Sequence, residues 1–107
     1  MNCFRAWAAA RSAVCLFAGL AGADRAFADE LYEYGEYLSS ECTTCHQLGG
    51  KSEGIPSITG WPVDNFVTVL ESYRDGQQEN AAMRSVARGL SDEDIKALAV
   101  FFHKQGQ

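Results

Sequence analysis

Basic charge is in short supply in this chain of 107 residues: nine Lys and Arg face fourteen Asp and Glu, for a net charge of −5. Such a balance lacks the positive footprint of a nucleic-acid binder. Long apolar runs are also missing. The longest, residues 13–23, has eleven residues, well short of the roughly 20 that span a membrane. No nucleophile–base pair is visible, and so no catalytic constellation. There is no repeat, no low-complexity tract and no internal boundary, and the length is too small for two ordinary domains. Proline, histidine and methionine number two each and cysteine four. A domain this small buries a meagre core and needs a staple.

The first part of the chain reads as a secretory signal peptide, residues 1–28. Arg5 and Arg11 make a basic start, the apolar run follows, and Ala26-Phe27-Ala28 forms a small-x-small cleavage site. There is no twin-arginine pair, and Val14 before Cys15 argues against a lipoprotein site. The alternative is an uncleaved N-terminal anchor. Cleavage after Ala28 removes one acid and three arginines. It leaves 79 residues (29–107) with thirteen acids, six bases and a charge of −7. The expected location is the periplasm, with no membrane span after cleavage.

Four helical stretches and no convincing strand are expected, an all-α domain. Residues 30–46 carry Leu31, Tyr34, Leu38 and Cys42 at spacings of three and four. A Gly-, Ser- and Pro-containing loop runs from Gln47 to Trp61. Residues 63–75 place Val63, Phe66, Val67, Leu70 and Tyr73 on one face, with Gly76 as the stop. A short turn bears Met83, Val86 and Ala87 and closes at Gly89. The last helix has Ser91 as N-cap, Asp94 three residues on, and Ile95, Leu98, Ala99 and Phe102 as its apolar face.

Of the four cysteines only Cys42 and Cys45 survive cleavage. A disulfide between them closes too small a loop to staple a fold. They belong instead to Cys42-Thr43-Thr44-Cys45-His46, and Cys-x-x-Cys-His is the attachment sequence of c-type haem. On a helix, positions i, i+3 and i+4 face one way, so two thiols reach the haem vinyl groups while the imidazole reaches the iron. One covalent haem c also supplies the missing staple. Three alternatives compete with it. A thioredoxin-like dithiol lacks its βαβ context. A structural zinc site needs four ligands, with only His103 or an acid to complete the set. The third is a plain disulfide.

With this motif early in the mature chain and Met83 downstream, the sequence resembles a class I cytochrome c over nearly all of residues 30–103. The resemblance implies three to four helices wrapped around one covalently bound haem. It implies thioether attachment at Cys42 and Cys45, and iron ligated by His46 and Met83, the latter the only methionine after cleavage. Pro56-Ser57-Ile58-Thr59-Gly60 is similar to the family's Pro-x-Leu-x-Gly segment, whose proline carbonyl accepts a hydrogen bond from the proximal histidine. Leu98 and Phe101 match the aliphatic–aromatic pair of the last helix, which packs across the first, and Leu38 matches the large residue four before the first cysteine. The family's helix-crossing glycine lies eight before that cysteine, where this chain has Tyr34. Either the crossing moves to Gly35 or the first helix is irregular. Trp61 has two readings, core packing or an indole hydrogen bond to a haem propionate. His103 reads as a surface histidine in the last helical turn. Glu30, Glu33, Glu36 and Glu41 read as a solvated helix face.

Leu70-x-x-Tyr73-x-x-Gly76, Met83 and the run from Gly89 to Ile95 resemble, within that family, the small cytochrome subunit of flavocytochrome c sulfide dehydrogenase. That implies single-electron transfer through the haem with no catalytic site on this chain. The partner is an FAD-containing flavoprotein that oxidises sulfide, or another periplasmic redox protein. The competing classes are a freely diffusing carrier and a haem enzyme or gas sensor with an open sixth site.

Overall fold

The computed structural model describes residues 21–49 and 53–107. The basic start of the expected export signal and most of its apolar run lie outside them. Five helices follow in order: α1 Ala21–Leu38, α2 Ser40–Thr43, α3 Val63–Arg74, α4 Ala81–Arg88 and α5 Asp92–Gln105. None is long and apolar enough to cross a membrane.

The first helical region differs from the expected single helix over 30–46 in two ways. It reaches back at least nine residues further, to Ala21, and so runs through the cleavage site expected after Ala28. Four alanines between 21 and 28 favour helix intrinsically. Residues 22–30 are nevertheless exposed, and Leu31 is the first buried side chain. Propensity rather than packing holds that stretch. The helix is also interrupted at Ser39. There the hydroxyl donates to the Glu36 carbonyl at 2.7 Å, while the Ser39 N–H is shared between the Gly35 and Glu36 carbonyls. A serine that satisfies the backbone with its own side chain competes with the helical ladder.

Leu31 and Gly35 of α1 and Ser39 just beyond it are buried; of the expected line, Leu38 and Cys42 pack half-buried against the core while Tyr34 is exposed. Gly35 is the crossing residue. A Cβ there would lie 2.1 Å from the Ala97 carbonyl oxygen and 2.9 Å from Phe101 Cβ. Only a residue without a side chain lets the two helix backbones approach so closely. Tyr34, turned outward, donates its hydroxyl to the Asp94 carboxylate at 2.6 Å.

α5 is the centre of the core. Ile95, Leu98, Ala99, Phe101 and Phe102 are buried, packed with Phe66 and Leu70 of α3. Phe66 stacks on Phe102 at 5.7 Å between ring centroids, and Phe101 meets Phe102 edge-on at 5.1 Å. Such aromatic pairs add to the area they bury. The capping box at Ser91 and Asp94 is complete in both directions. Arg74 at the end of α3 donates to the Leu90 carbonyl and pairs with Asp92 at 2.7 Å, tying α3 to the start of α5. The expected short turn around Met83 is a helix of eight residues, α4. Asn80 caps it by accepting the Met83 N–H at 3.1 Å.

A candidate haem cleft

The motif sits where α2 gives way to the loop. α2 ends at Thr43, but its turn continues: Cys45 and His46 N–H groups both donate to the Cys42 carbonyl, at 3.2 and 2.7 Å. The three motif side chains therefore follow one another around a single helical turn. The two cysteines are not joined to each other; Cys42 is half-buried and Cys45 exposed. Burial, assisted by the nearby Glu41 carboxylate, pushes the Cys42 thiol up to about 11.

His46 is fixed from the loop. Its Nδ1 lies 2.8 Å from the Pro56 carbonyl oxygen. A carbonyl only accepts, so Nδ1 carries a proton, and in the neutral ring the lone pair lies on Nε2. A histidine prepared to ligate a metal is commonly held this way, through its other nitrogen.

Cys42, Cys45, His46 and Met83 all line one open cleft of about 250 Å³. Ile55, Ile58, Phe66, Leu70, Val86 and Leu90 supply most of its apolar wall. Two thiols, an imidazole with a free ring nitrogen and a thioether thus share one greasy cleft. That donor set fits a covalently attached haem. Pro56 and Trp61 line it too. The Trp61 indole N–H, however, donates to the Ser57 carbonyl at 3.1 Å, and its ring meets Phe66 edge-on. His103 does not line the cleft. It is half-buried rather than on the surface, with Nδ1 donating to the Trp61 carbonyl at 2.8 Å. Glu30, Glu33, Glu36 and Glu41 are exposed, as expected of a solvated face.

Comparison with known proteins agrees with this geometry. The chain is 37% identical over 76 residues to cytochrome c-554(548) of Halomonas halodenitrificans, covering 66% of this chain and 92% of that protein. It is a monohaem cytochrome c. The cytochrome is also 35% identical over 69 residues to the cytochrome subunit of sulfide dehydrogenase of Chlorobaculum tepidum, covering 64% of this chain and 63% of that one. A thiosulfate dehydrogenase electron acceptor of Thiomonas intermedia is 32% identical over 69 residues, and the match spans only 32% of that longer protein. No family model matches the chain. Membership brings with it a covalently bound c-type haem and a role in electron transfer.

Two contacts that support the site escape a sequence reading. Asn80 both lines the cleft and caps the helix that presents Met83. Asparagine one residue before Ala81-Ala82-Met83 is a recognisable N-cap signal. The His103 bond to Trp61 joins residues 42 apart, and no local pattern announces it.

Proposed function

We propose that this cytochrome accepts single electrons in the periplasm as the cytochrome subunit of a sulfide dehydrogenase, taking them from an FAD-containing flavoprotein. In this reading Cys42 and Cys45 hold the haem through thioether bonds, and His46 and Met83 are the two axial ligands. The haem iron supplies the one-electron couple. The observation that carries the ligand assignment is the His46–Pro56 bond, which engages Nδ1 and leaves Nε2 as the nitrogen available to iron, on a residue of the cleft that Met83 also lines. An imidazole and a thioether that stay bound in both oxidation states keep the site's geometry nearly constant on transfer. A Met/His pair also sets a comparatively high potential.

The partner assignment has two supports. One is the likeness to the sulfide dehydrogenase subunit. The other is the cleft lining, where Ile55, Pro56, Ala82 and Met83 are uncharged and Glu41 is the one acid among the described residues, in a chain that is acidic as a whole. An uncharged contact suits a docked subunit better than a freely diffusing carrier that relies on charge steering. The export signal read at residues 1–28 provides the route to the periplasm.

Met83→Ala tests the ligand. The ferric sulfur-to-iron charge-transfer band should vanish, the potential should fall, and carbon monoxide should bind the ferrous form rapidly. An unchanged spectrum and potential would mean another sixth ligand. Co-purification from native periplasm tests the partner. A flavin-containing complex whose haem is reduced on adding sulfide is expected. A monomer whose reduction is indifferent to sulfide would leave a general electron carrier.

A further inference from the structure

The loop that holds His46 is itself held by α5. The Gly60 N–H donates to the Phe102 carbonyl at 2.8 Å, and His103 Nδ1 donates to the Trp61 carbonyl at 2.8 Å. Between them Gly60 packs directly against Gly106, so closely that a Cβ on Gly106 would fall 2.2 Å from Gly60 Cα. The loop is then folded back on itself, because the Trp61 indole N–H donates to the Ser57 carbonyl. The next carbonyl along the chain, that of Pro56, accepts from His46 Nδ1. Three hydrogen bonds in sequence thus connect a histidine on the last helix to the motif histidine. All three are donated by side chains to backbone carbonyls.

We infer that His103 is a positioning residue for His46: it fixes the Pro56–Trp61 loop to α5 and so keeps the Pro56 carbonyl in place to accept the His46 Nδ1 proton. This rests on His46 being the proximal ligand. A hydrogen bond at Nδ1 makes the imidazole a stronger donor through Nε2, which favours ferric over ferrous iron. Loosening the loop weakens that bond and shifts the balance toward ferrous. The potential therefore rises. His103 touches neither His46 nor the cleft, so its effect is transmitted wholly through Trp61 and the loop.

The test compares His103→Leu, which removes the donor, with His103→Asn, whose amide N–H replaces Nδ1–H. Both are studied as the haem-loaded cytochrome. The first readout is deuterium exchange of the His46 Nδ1 proton, observed by NMR as a paramagnetically shifted resonance in the ferric protein. The second is the midpoint potential. Exchange should quicken several-fold in the Leu variant, up to about tenfold for one lost hydrogen bond. Its potential should rise, by up to the 59 mV that corresponds to a tenfold change for one electron. Asn should restore both toward wild type. Wild-type exchange and potential in His103→Leu would overturn the inference, as would Leu and Asn variants that behave alike. If the Leu variant does not fold, His103→Gln takes its place against Asn, since the Gln amide matches Nε2 and leaves the Nδ1 position empty. Absence of any shifted His46 resonance in the wild-type protein would instead sink the axial-ligand reading itself, so the two failures are told apart.

Discussion

Gly35→Ala sets intrinsic propensity against packing. In an isolated helix the change is favourable by about 1 kcal/mol, because alanine is the better helix former. In this fold the added Cβ would lie 2.1 Å from the Ala97 carbonyl oxygen, 2.6 Å from its carbon and 2.9 Å from Phe101 Cβ. Two of those atoms are backbone and the third is the root of a buried ring, so no flexible side-chain tip can swing away. The helices must part, and parting exposes or strains the Leu98 and Phe101 contacts. Overpacking of this kind costs about 1–3 kcal/mol, and more where the wall is rigid. The upper end is appropriate, leaving a net loss of about 2 kcal/mol after the propensity gain. For a domain of this size each kcal/mol moves Tm by about 4–8 °C, so a drop of about 8–16 °C is expected. Thermal unfolding of the haem-loaded protein, followed by the haem absorption and by far-UV circular dichroism, measures it. Gly49→Ala is the control, since a Cβ there meets nothing within 4 Å. A melting temperature equal to or above wild type in Gly35→Ala would show that the α1–α5 crossing is not made at this residue.

Three further outcomes are expected. Cys42→Ala with Cys45→Ala should yield protein without stable haem and largely unfolded, and recovery of a well-folded haem-free domain by pyridine haemochrome and circular dichroism would contradict the haem's role as staple. Asn80→Ala removes the cap from the Met83 N–H, which costs about 1 kcal/mol; stopped-flow mixing with imidazole should show faster displacement of the sixth ligand, and an unchanged rate would separate the cap from the ligand. The Tyr34 hydroxyl, followed by the Ser91 N–H, holds the Asp94 carboxyl below its usual range near 3.8. Its stabilisation is therefore complete above that value and lost as pH falls through the lowered folded pKa. Tyr34→Phe should move the acid-unfolding midpoint to higher pH, and identical acid titrations would refute the link.

Local chemistry accounts for what could be read in advance. α5 was legible to its cap because Ser91 and Asp94 satisfy each other across three residues, and α3 because its apolar spacing is regular. The cysteine–histidine motif carries its chemistry in five consecutive positions. Features that depend on distant contacts were not legible in the same way. The outward turn of Tyr34 follows from the placement of Gly35 against Ala97, which no spacing within α1 reveals. The break at Ser39 depends on a hydroxyl choosing the Glu36 carbonyl. The extension of α1 back to Ala21 reflects alanine propensity in a stretch read as a leader, where helix and cleavage signal draw on the same small residues. The α5 tether to the loop joins elements far apart in sequence, so His103 passed for a surface residue.

The short helix α4 has a mechanical consequence. Among the described helices it packs on α3 alone, and Ala87 is its single buried residue. α1 and α5, by contrast, share the broadest packing in the molecule. The cheapest excursion from the native state is then a hinged departure of α4 that leaves the crossed pair standing. The cytochrome would come apart like a book losing its cover before its spine. Hydrogen exchange at Ala87 and Arg88 should report a small opening free energy while Leu98 and Ala99 report the global one. One face of the site can thus breathe, while the side holding His46 stays bolted to the frame.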